Sequence, residues 1–324
     1  MKIIIPVAGA GTRLQPHTLT TPKPLLEIAN KPVLDYVIEP LLALRPEEII
    51  FVIGHKGEMI IDYVKKRYFV KTSFVPQEKL LGLGYAVHLG LKKMTNEPTM
   101  IVLGDTIVEC DFARVIENGD YVLGVREVED PHRFGIAELD NGFVAGLEEK
   151  PKTPKSNLAL IGLYYFKESA SLKESLIKLI NSGKTTDGEI QLTDALQSMI
   201  AQGTKFVSHH VQGWYDCGKK ETMLATNSHI LDKQKQTIEI DGSEIIPPVL
   251  ISPSSKITNS ILGPYVSVGE GAYLSDSRIS NSIIGHNVMI KNSELTDSLV
   301  GNWSKIDGVK RVLNVGEKTE IIAS

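Results

Sequence analysis

The chain has 324 residues, 42% of them hydrophobic and 23% charged, with a formal charge of −4 and a pI near 6.1. That balance gives no sign of disorder, and the net acidity argues against a nucleic-acid binder working through a broad basic surface. No apolar run is long enough to span a bilayer, and two cysteines, Cys110 and Cys217, are too few for a disulfide framework or a structural zinc site. The expectation is a cytoplasmic globular protein with no membrane or nucleic-acid partner, its thiols serving as buried filler.

The first apolar strand, Ile3 to Ala8, runs straight into Gly9-Ala10-Gly11-Thr12-Arg13, and Lys23 follows ten residues later. Pro6 and Gly9 interrupt the run and no separate basic segment precedes it, so it reads as a core strand and not a signal peptide. Gly9 and Gly11 are expected to let the backbone turn tightly and aim its N–H groups at an anion, while Arg13 offers a charged fork to the same oxygens. Glycines alone would fit any strand-to-helix turn; the two cations are what point to phosphate. The turn is not a Walker A loop, which needs Gly-Lys-Ser/Thr, nor a full G-x-G-x-x-G, because Leu14 stands where the third glycine would be.

Buried strands are then expected at Ile49 to Ile53, Ser73 to Pro76 and Met100 to Gly104, alternating with helices over Val33 to Leu44, Glu58 to Arg67 and Leu83 to Met94. This alternation implies an α/β fold with a Rossmann-like, mostly parallel sheet and ligands at the carboxyl ends of its strands. From Tyr121 to Phe166 shorter β-like pieces are punctuated by D-P, N-G and K-P turns, as in an inserted lid or an antiparallel extension. Helical patterns return at Leu172 to Ile180, Leu192 to Ala201 and Thr222 to Lys233, placing a first domain over residues 1–240.

Over residues 241–324 the pattern changes. Aliphatic residues recur every five or six positions, from Ile251, Ile257 and Leu262 through Val300 and Ile306, and three steps take sixteen or seventeen residues. A period that is neither 3.6 nor 2 suits a parallel β-helix of about three to four coils, each aliphatic side chain pointing into a prism. A run of ordinary short strands in a sandwich is the alternative. The tail after Val309 is expected to cover the open end of the prism.

Landmarks along the whole chain now combine: G-A-G-T-R-L-Q-P-H-T, P-K-P-L-L-E, V-P-Q-E-K-L-L-G-L-G-Y-A, L-G-D-T, D-P-H-R-F-G-I-A-E-L-D, E-E-K-P-K-T-P-K-S-N-L-A, G-E-I-Q-L-T-D and G-W-Y-D-C-G. In these the chain resembles the sugar-1-phosphate nucleotidylyltransferases, most closely the longer glucose-1-phosphate thymidylyltransferases with a C-terminal left-handed β-helix. The resemblance implies attack of a sugar 1-phosphate oxygen on the α-phosphorus of a nucleoside triphosphate, with dTTP and glucose 1-phosphate favoured and pyrophosphate released. Two anionic substrates must meet, so such catalysis is mainly charge neutralisation and in-line positioning.

By the same resemblance, Arg13 grips the triphosphate, the backbone of Ala8, Gly9, Ala10, Gly11 and Thr12 cradles it, and Lys23 lies near the reacting centre. Asp105 and Asp216 are the implied carboxylate ligands of Mg2+, which suits hard oxygen donors completed by phosphate and water. Gln77 and Gly82 correspond to contacts with a pyrimidine base, whose imide edge thymine and uracil share. Lys150 corresponds to the lysine that holds the sugar phosphate, Gly135 and Glu149 to the sugar contacts, and Asn157 and Gly162 to second candidates there. For Gly135, Glu149, Asn157 and Gly162 a plain turn or strand role stays equally open.

Three departures keep other substrates in view: the glycine turn is one residue shorter than in the short thymidylyltransferases, Pro24 follows Lys23 in place of Gln, and Thr106 follows Asp105 in place of Asn or Asp. UTP-dependent and mannose-type enzymes are therefore alternatives, as is a non-catalytic subunit that binds nucleotide sugar, although such a subunit would tend to lose the charges retained here. His286 is the one histidine in the repeat, which favours a structural role there over acetyl transfer. Stacked coils offer large apolar faces, so a homo-oligomer is expected.

Overall fold

The computed structural model describes residues 1–234 and 238–323. By packing, the chain divides into two compact units, one of Met1–Gly9 and Val37–Trp214, the other of Ala10–Tyr36 and Tyr215–Ser324. The grouping follows three-dimensional contacts and places residues 10–36 and 215–240 with the second unit.

The first unit is built on one nine-stranded sheet. Its strands are β1 (Lys2–Val7), β2 (Glu48–Ile53), β3 (Thr72–Pro76), β4 (Thr99–Val102), β5 (Tyr121–Glu127), β6 (Gly135–Asp140), β7 (Phe143–Glu149), β8 (Leu158–Phe166) and β9 (Phe206–His210), in the order β3-β2-β1-β4-β8-β5-β9-β7-β6. The β3-β2-β1-β4 half is parallel, with Lys2 opposite Glu48 and Val7 opposite Ile53. Every residue of β2 is buried, and Ile49–Ile53 reads as an unbroken apolar run with no alternation.

The sheet is mixed and not mostly parallel as expected. β8 pairs antiparallel with both β4 and β5, and β7 pairs antiparallel with β6 and β9. The cause is local: Asn141 and Gly142 both have positive φ (49° and 83°), so β6 and β7 close as a hairpin, which can only be antiparallel. β8 is buried along its whole length, so the Tyr121 to Phe166 region extends the sheet and is not a lid.

Helices α1 (Val33–Leu42), α2 (Gly57–Arg67), α3 (Leu83–Leu91), α4 (Phe112–Glu117), α5 (Ala170–Ser182) and α6 (Leu192–Ala201) come next in the chain order, and α7 (Lys220–Lys233) belongs to the second unit. α3, α5 and α6 pack together with the sheet around Ile4, Ile50, Val52, Leu123, Phe166 and Phe206 in one apolar cluster. Among them Ile4, Phe166 and Phe206 have no exposed surface, so each contributes on the order of 2–3 kcal/mol of burial before entropy is counted. No helix among the described residues is long and apolar enough to cross a membrane.

In the second unit, three parallel sheets of two- and three-residue strands form rungs. Val249 pairs with Val266, Lys256 with Tyr273 and Glu244 with Ile261, each partner seventeen residues on. Ile257, Leu262, Val268, Leu274, Ile279, Ile290, Leu295 and Ile306 form its core. Asn259, Asp276, Asn281, Asn292 and Asp297 take positive φ at corners, where Asx side chains tolerate it, and pair across rungs as Asn259–Asp276 and Asn281–Asp297, both at 2.6 Å. Ser260 and Ser277 accept from the backbone N–H of Ser277 and Ser293, so a buried column of hydroxyls satisfies one rung with the next.

The expected end cap is corrected by the structure. Asn314–Val315 and Glu320–Ile322 pair in parallel with Leu299–Val300 and Lys305–Asp307, so the tail continues the stack past four complete rungs. The aliphatic period lapses at Lys310 and Arg311, while the backbone pairing, invisible to a hydropathy pattern, goes on.

Candidate functional site

Parallel strands end with their backbone groups unpaired, so the carboxyl ends of β1, β2 and β4 form the place where a ligand can approach. Ala8 is buried and Gly9 exposed just beyond β1. Two glycines that were given no role in the motifs let the strand ends pack closely here. A Cβ on Gly54, after β2, would lie 2.4 Å from the Ala8 carbonyl oxygen, and one on Gly104, after β4, 2.2 Å from Val7 Cγ1. The signal available in the sequence was a lone glycine closing each buried strand.

Gly9 itself differs from expectation. Its φ is not positive, and a Cβ there would meet no protein atom within 4 Å. Neither the turn nor the packing requires glycine at this position. Gly11 does require it, with φ of 65° and a would-be Cβ 2.8 Å from Thr18 Cγ2 and 3.1 Å from Lys23 Cβ.

Beyond β3, Gln77 is 6% exposed, and its backbone N–H donates to the Ile53 carbonyl at 2.7 Å. It borders an open cavity of about 520 Å3 together with Gly54, His55 and Lys56. Gly82 caps α3 with φ of 99°, and a Cβ there would stand 2.8 Å from the Ile190 carbonyl oxygen.

A second cluster in the same unit gathers at the start of β6. Gly135 lies opposite Glu149 in register, and a Cβ on Gly135 would come within 2.9 Å of both Glu149 Oε2 and Thr193 Oγ1. The Thr193 hydroxyl donates to Glu149 Oε2 at 2.6 Å. Burial pushes the Glu149 carboxyl up from its ordinary value, opposed by this hydrogen bond and by the charge of Lys150. Thr193 was not singled out, although it sits inside the G-E-I-Q-L-T-D landmark. Lys150 is exposed with φ of 44°, and its N–H donates to the Phe134 carbonyl at 3.0 Å. Of the second candidates, Asn157 is exposed, with its carbonyl accepting from Val128 N–H at 2.9 Å. Gly162 has a fold-based reason to be glycine: φ of 82° where β8 shifts register, and a would-be Cβ 2.5 Å from Leu103 Cγ.

Asp105 follows β4, is half-buried, and accepts from Thr106 Oγ1 at 3.3 Å. The remaining positions lie in the second unit. Ala10 and Thr12 flank Gly11; Thr12–Leu14 is a single 3-10 turn that leaves Arg13 exposed. Lys23 opens another such turn, Lys23–Leu25, and is 8% exposed. Asp216 ends the strand Gly213–Asp216 and is half-buried, and a Cβ on Gly218 would meet its Oδ1 at 2.7 Å. Of the cysteines, Cys217 is buried and Cys110 half-buried, with burial pushing the Cys110 thiol up to about 12.

Cationic and carboxylate side chains of these kinds suit phosphorylated ligands. The family model described as nucleotidyl transferase matches residues 2–233. The chain belongs to the nucleotidyl transferase family. Among nucleotidyl transferases, it is 34% identical to the low-salt glycan biosynthesis nucleotidyltransferase Agl11 of Haloferax volcanii, over 99% of both chains. It is 32% identical to a glucose-1-phosphate thymidylyltransferase of Streptomyces griseus, over 96% of this chain and 95% of that one. A solved UDP-glucose pyrophosphorylase in complex with UDP-glucose matches with a TM-score of 0.64 and 26% identity, over 72% of this chain and 99% of that one.

Proposed function

We propose that the protein transfers a nucleotidyl group from a nucleoside triphosphate to a sugar 1-phosphate, with dTTP and glucose 1-phosphate the favoured pair. A UTP-dependent or mannose-type reaction is the alternative within the same chemistry. The observation that carries the reading is Gly9, an exposed glycine beside a crowded strand edge that the fold itself does not require. The support from relatives is their naming as thymidylyltransferase and pyrophosphorylase over most of the chain.

In this reading a non-bridging oxygen of the sugar phosphate attacks the α-phosphorus, and the bond from that phosphorus to the bridging oxygen of pyrophosphate breaks as the new one forms. The N–H groups of residues 9–12 and the guanidinium of Arg13 hold the β- and γ-phosphates and take up charge on the departing pyrophosphate. Lys23 offsets charge at the reacting centre, and Lys150 holds the incoming phosphate. Gln77 offers a donor and an acceptor to the base, while Glu149, fixed by Thr193, accepts from sugar hydroxyls.

Magnesium fits this donor set. Asp105 and Asp216 would supply the hard carboxylate oxygens that hold it. Two carboxylates suit an ion that keeps water and phosphate oxygens in its shell. When bound, Mg2+ supplies charge neutralisation on the phosphates. The reaction would run in the cytoplasm, where nucleoside triphosphates are available. The stacked short parallel strands of the second unit suit a left-handed β-helix, and its flat faces suit assembly into a homo-oligomer.

The test is pyrophosphate release by the purified chain with Mg2+, glucose 1-phosphate and each triphosphate in turn. Release with dTTP is expected; no release with any triphosphate and sugar phosphate would refute transfer. Asp105→Asn and Asp216→Asn should each lower kcat by about 100-fold or more with the fold retained, and a chelator should abolish turnover until Mg2+ is restored. Full activity in both variants would remove the metal assignment.

A further inference from the structure

Residues 10–32 carry Arg13 and Lys23, yet have almost no regular structure to hold them: three single 3-10 turns and a hairpin of two-residue strands, Glu27–Ile28 and Lys31–Pro32. Such short pieces are not stable on their own. What fixes the segment is the rest of its own unit. His17 Nε2 donates to Asn314 Oδ1 at 2.9 Å, and Thr21 Oγ1 donates to Glu317 Oε1 at 2.8 Å. Further along, Ala29 N–H donates to Asn227 Oδ1 at 3.0 Å and Asn30 Nδ2 to the Val268 carbonyl at 2.8 Å.

The fifth contact uses the histidine that stood out in the repeat. Glu270 N–H donates to His286 Nδ1 at 2.9 Å, so Nδ1 is the acceptor and Nε2–H is left to donate to Glu27 Oε2, at 2.8 Å. The ring thus bridges a corner of one rung to the hairpin that follows Lys23. His17 is 4% exposed, and its burial lowers its proton affinity, which keeps it a neutral donor.

The anchors are placed where the cations need them. Asn314 Nδ2 also reaches the Gln15 carbonyl, two residues after Arg13, at 3.5 Å, and Thr21 lies two residues before Lys23. We infer that the rungs serve nucleotidyl transfer as the platform that positions Arg13 and Lys23, with Asn314, Glu317 and His286 as positioning residues that act through the 10–32 segment. The inference rests on the proposed function, since it gives the two cations their phosphate-handling role. It assigns the repeat a part in the reaction without any acetyl transfer.

The experiment measures two things on the full chain for Glu317→Ala, Glu317→Gln and His286→Leu. One is backbone hydrogen exchange over residues 10–32 and over residues 249–300; the other is kcat and KM for each substrate. Losing one partly exposed polar anchor is expected to raise KM for the triphosphate about two- to fivefold, leaving KM for the sugar phosphate unchanged. Exchange should rise over residues 10–32 and stay at the wild-type level over residues 249–300. Glu317→Gln keeps an acceptor for Thr21 and should behave as wild type, which a loss caused by general loosening would not. If His286→Leu disrupts the rungs, exchange rises in both regions and the Glu317 pair decides. Unchanged exchange over residues 10–32 in Glu317→Ala, or equal rises in both KM values, overturns the inference. Exchange is read without turnover, so a wild-type chain that transfers nothing overturns the proposed function separately.

Discussion

Gly9→Ala separates a glycine kept for the fold from one kept for a ligand. Gly9 has no positive φ and no protein atom within 4 Å of the methyl it would gain, so the folded state has room for alanine. The unfolded chain loses freedom, and the substitution should therefore be neutral or stabilise by up to about 1 kcal/mol. At about 2–4 °C per kcal/mol, the first melting transition should move by between zero and about +4 °C. Gly54→Ala is the control, because its methyl would stand 2.4 Å from a backbone oxygen of Ala8 and that atom cannot swing away. It should cost about 1–3 kcal/mol and lower the same transition. If the space over Gly9 belongs to triphosphate, the added methyl displaces a phosphate by roughly 1 Å, and a shift of that size costs about 100-fold, or about 2.7 kcal/mol of transition-state binding. Scanning calorimetry and kcat/KM for the triphosphate are the assays. Undiminished kcat/KM, or a melting loss as large as that of Gly54→Ala, would falsify the reasoning.

Two further outcomes depend on pH. Burial raises the Glu149 pKa, so the folded state holds this proton more tightly than the unfolded chain does; the favourable contribution is present at low pH and lost as pH rises through the raised value. Glu149→Gln should therefore not destabilise at neutral pH, while the wild-type KM for sugar phosphate should climb as pH falls, beginning above the ordinary carboxylate value of 4.5. The step should be missing from the Glu149→Gln profile, and its persistence there would assign it to another group. Glu97 behaves in the opposite sense: Lys2 Nζ donates to it at 2.8 Å and holds its carboxyl down to about 2. Its contribution is full above the unfolded value of 4.5 and disappears as pH falls toward 2. Glu97→Gln should cost about 0.5–1 kcal/mol by denaturant titration at pH 7, in the range of partly exposed pairs, and nothing near pH 2.

Local pattern made much of this chain legible. The Leu192–Ala201 helix matches its expected bounds, and the first strands lie within a residue or two of theirs, because periodicity and breakers act over short stretches. The sheet order was not legible: β8 is a buried apolar run, and such a run says that both faces are covered without naming its neighbours or their direction. The rungs were recognised from their aliphatic period, yet Asn314–Val315 and Glu320–Ile322 continue the stack by backbone pairing where that period fails.

The candidate site divides in the same way. Gly9, Gly11, Arg13, Lys23, Asp105, Lys150 and Asp216 were set apart by residue type and motif, since phosphate chemistry restricts which side chains can serve. Motif could not say that Gly11 is glycine for its φ while neither φ nor packing requires one at Gly9, nor that Gly54 and Gly104 let the strand ends pack closely. Nor could it couple Glu149 to Thr193, 44 residues away, or Thr21 to Glu317, 296 residues away. The sequence by itself determined the chemistry and the local elements, because both depend on residue identity and near-neighbour spacing. Only the tertiary structure decided which strands meet and what holds residues 10–32, because those depend on contacts between positions far apart in the chain.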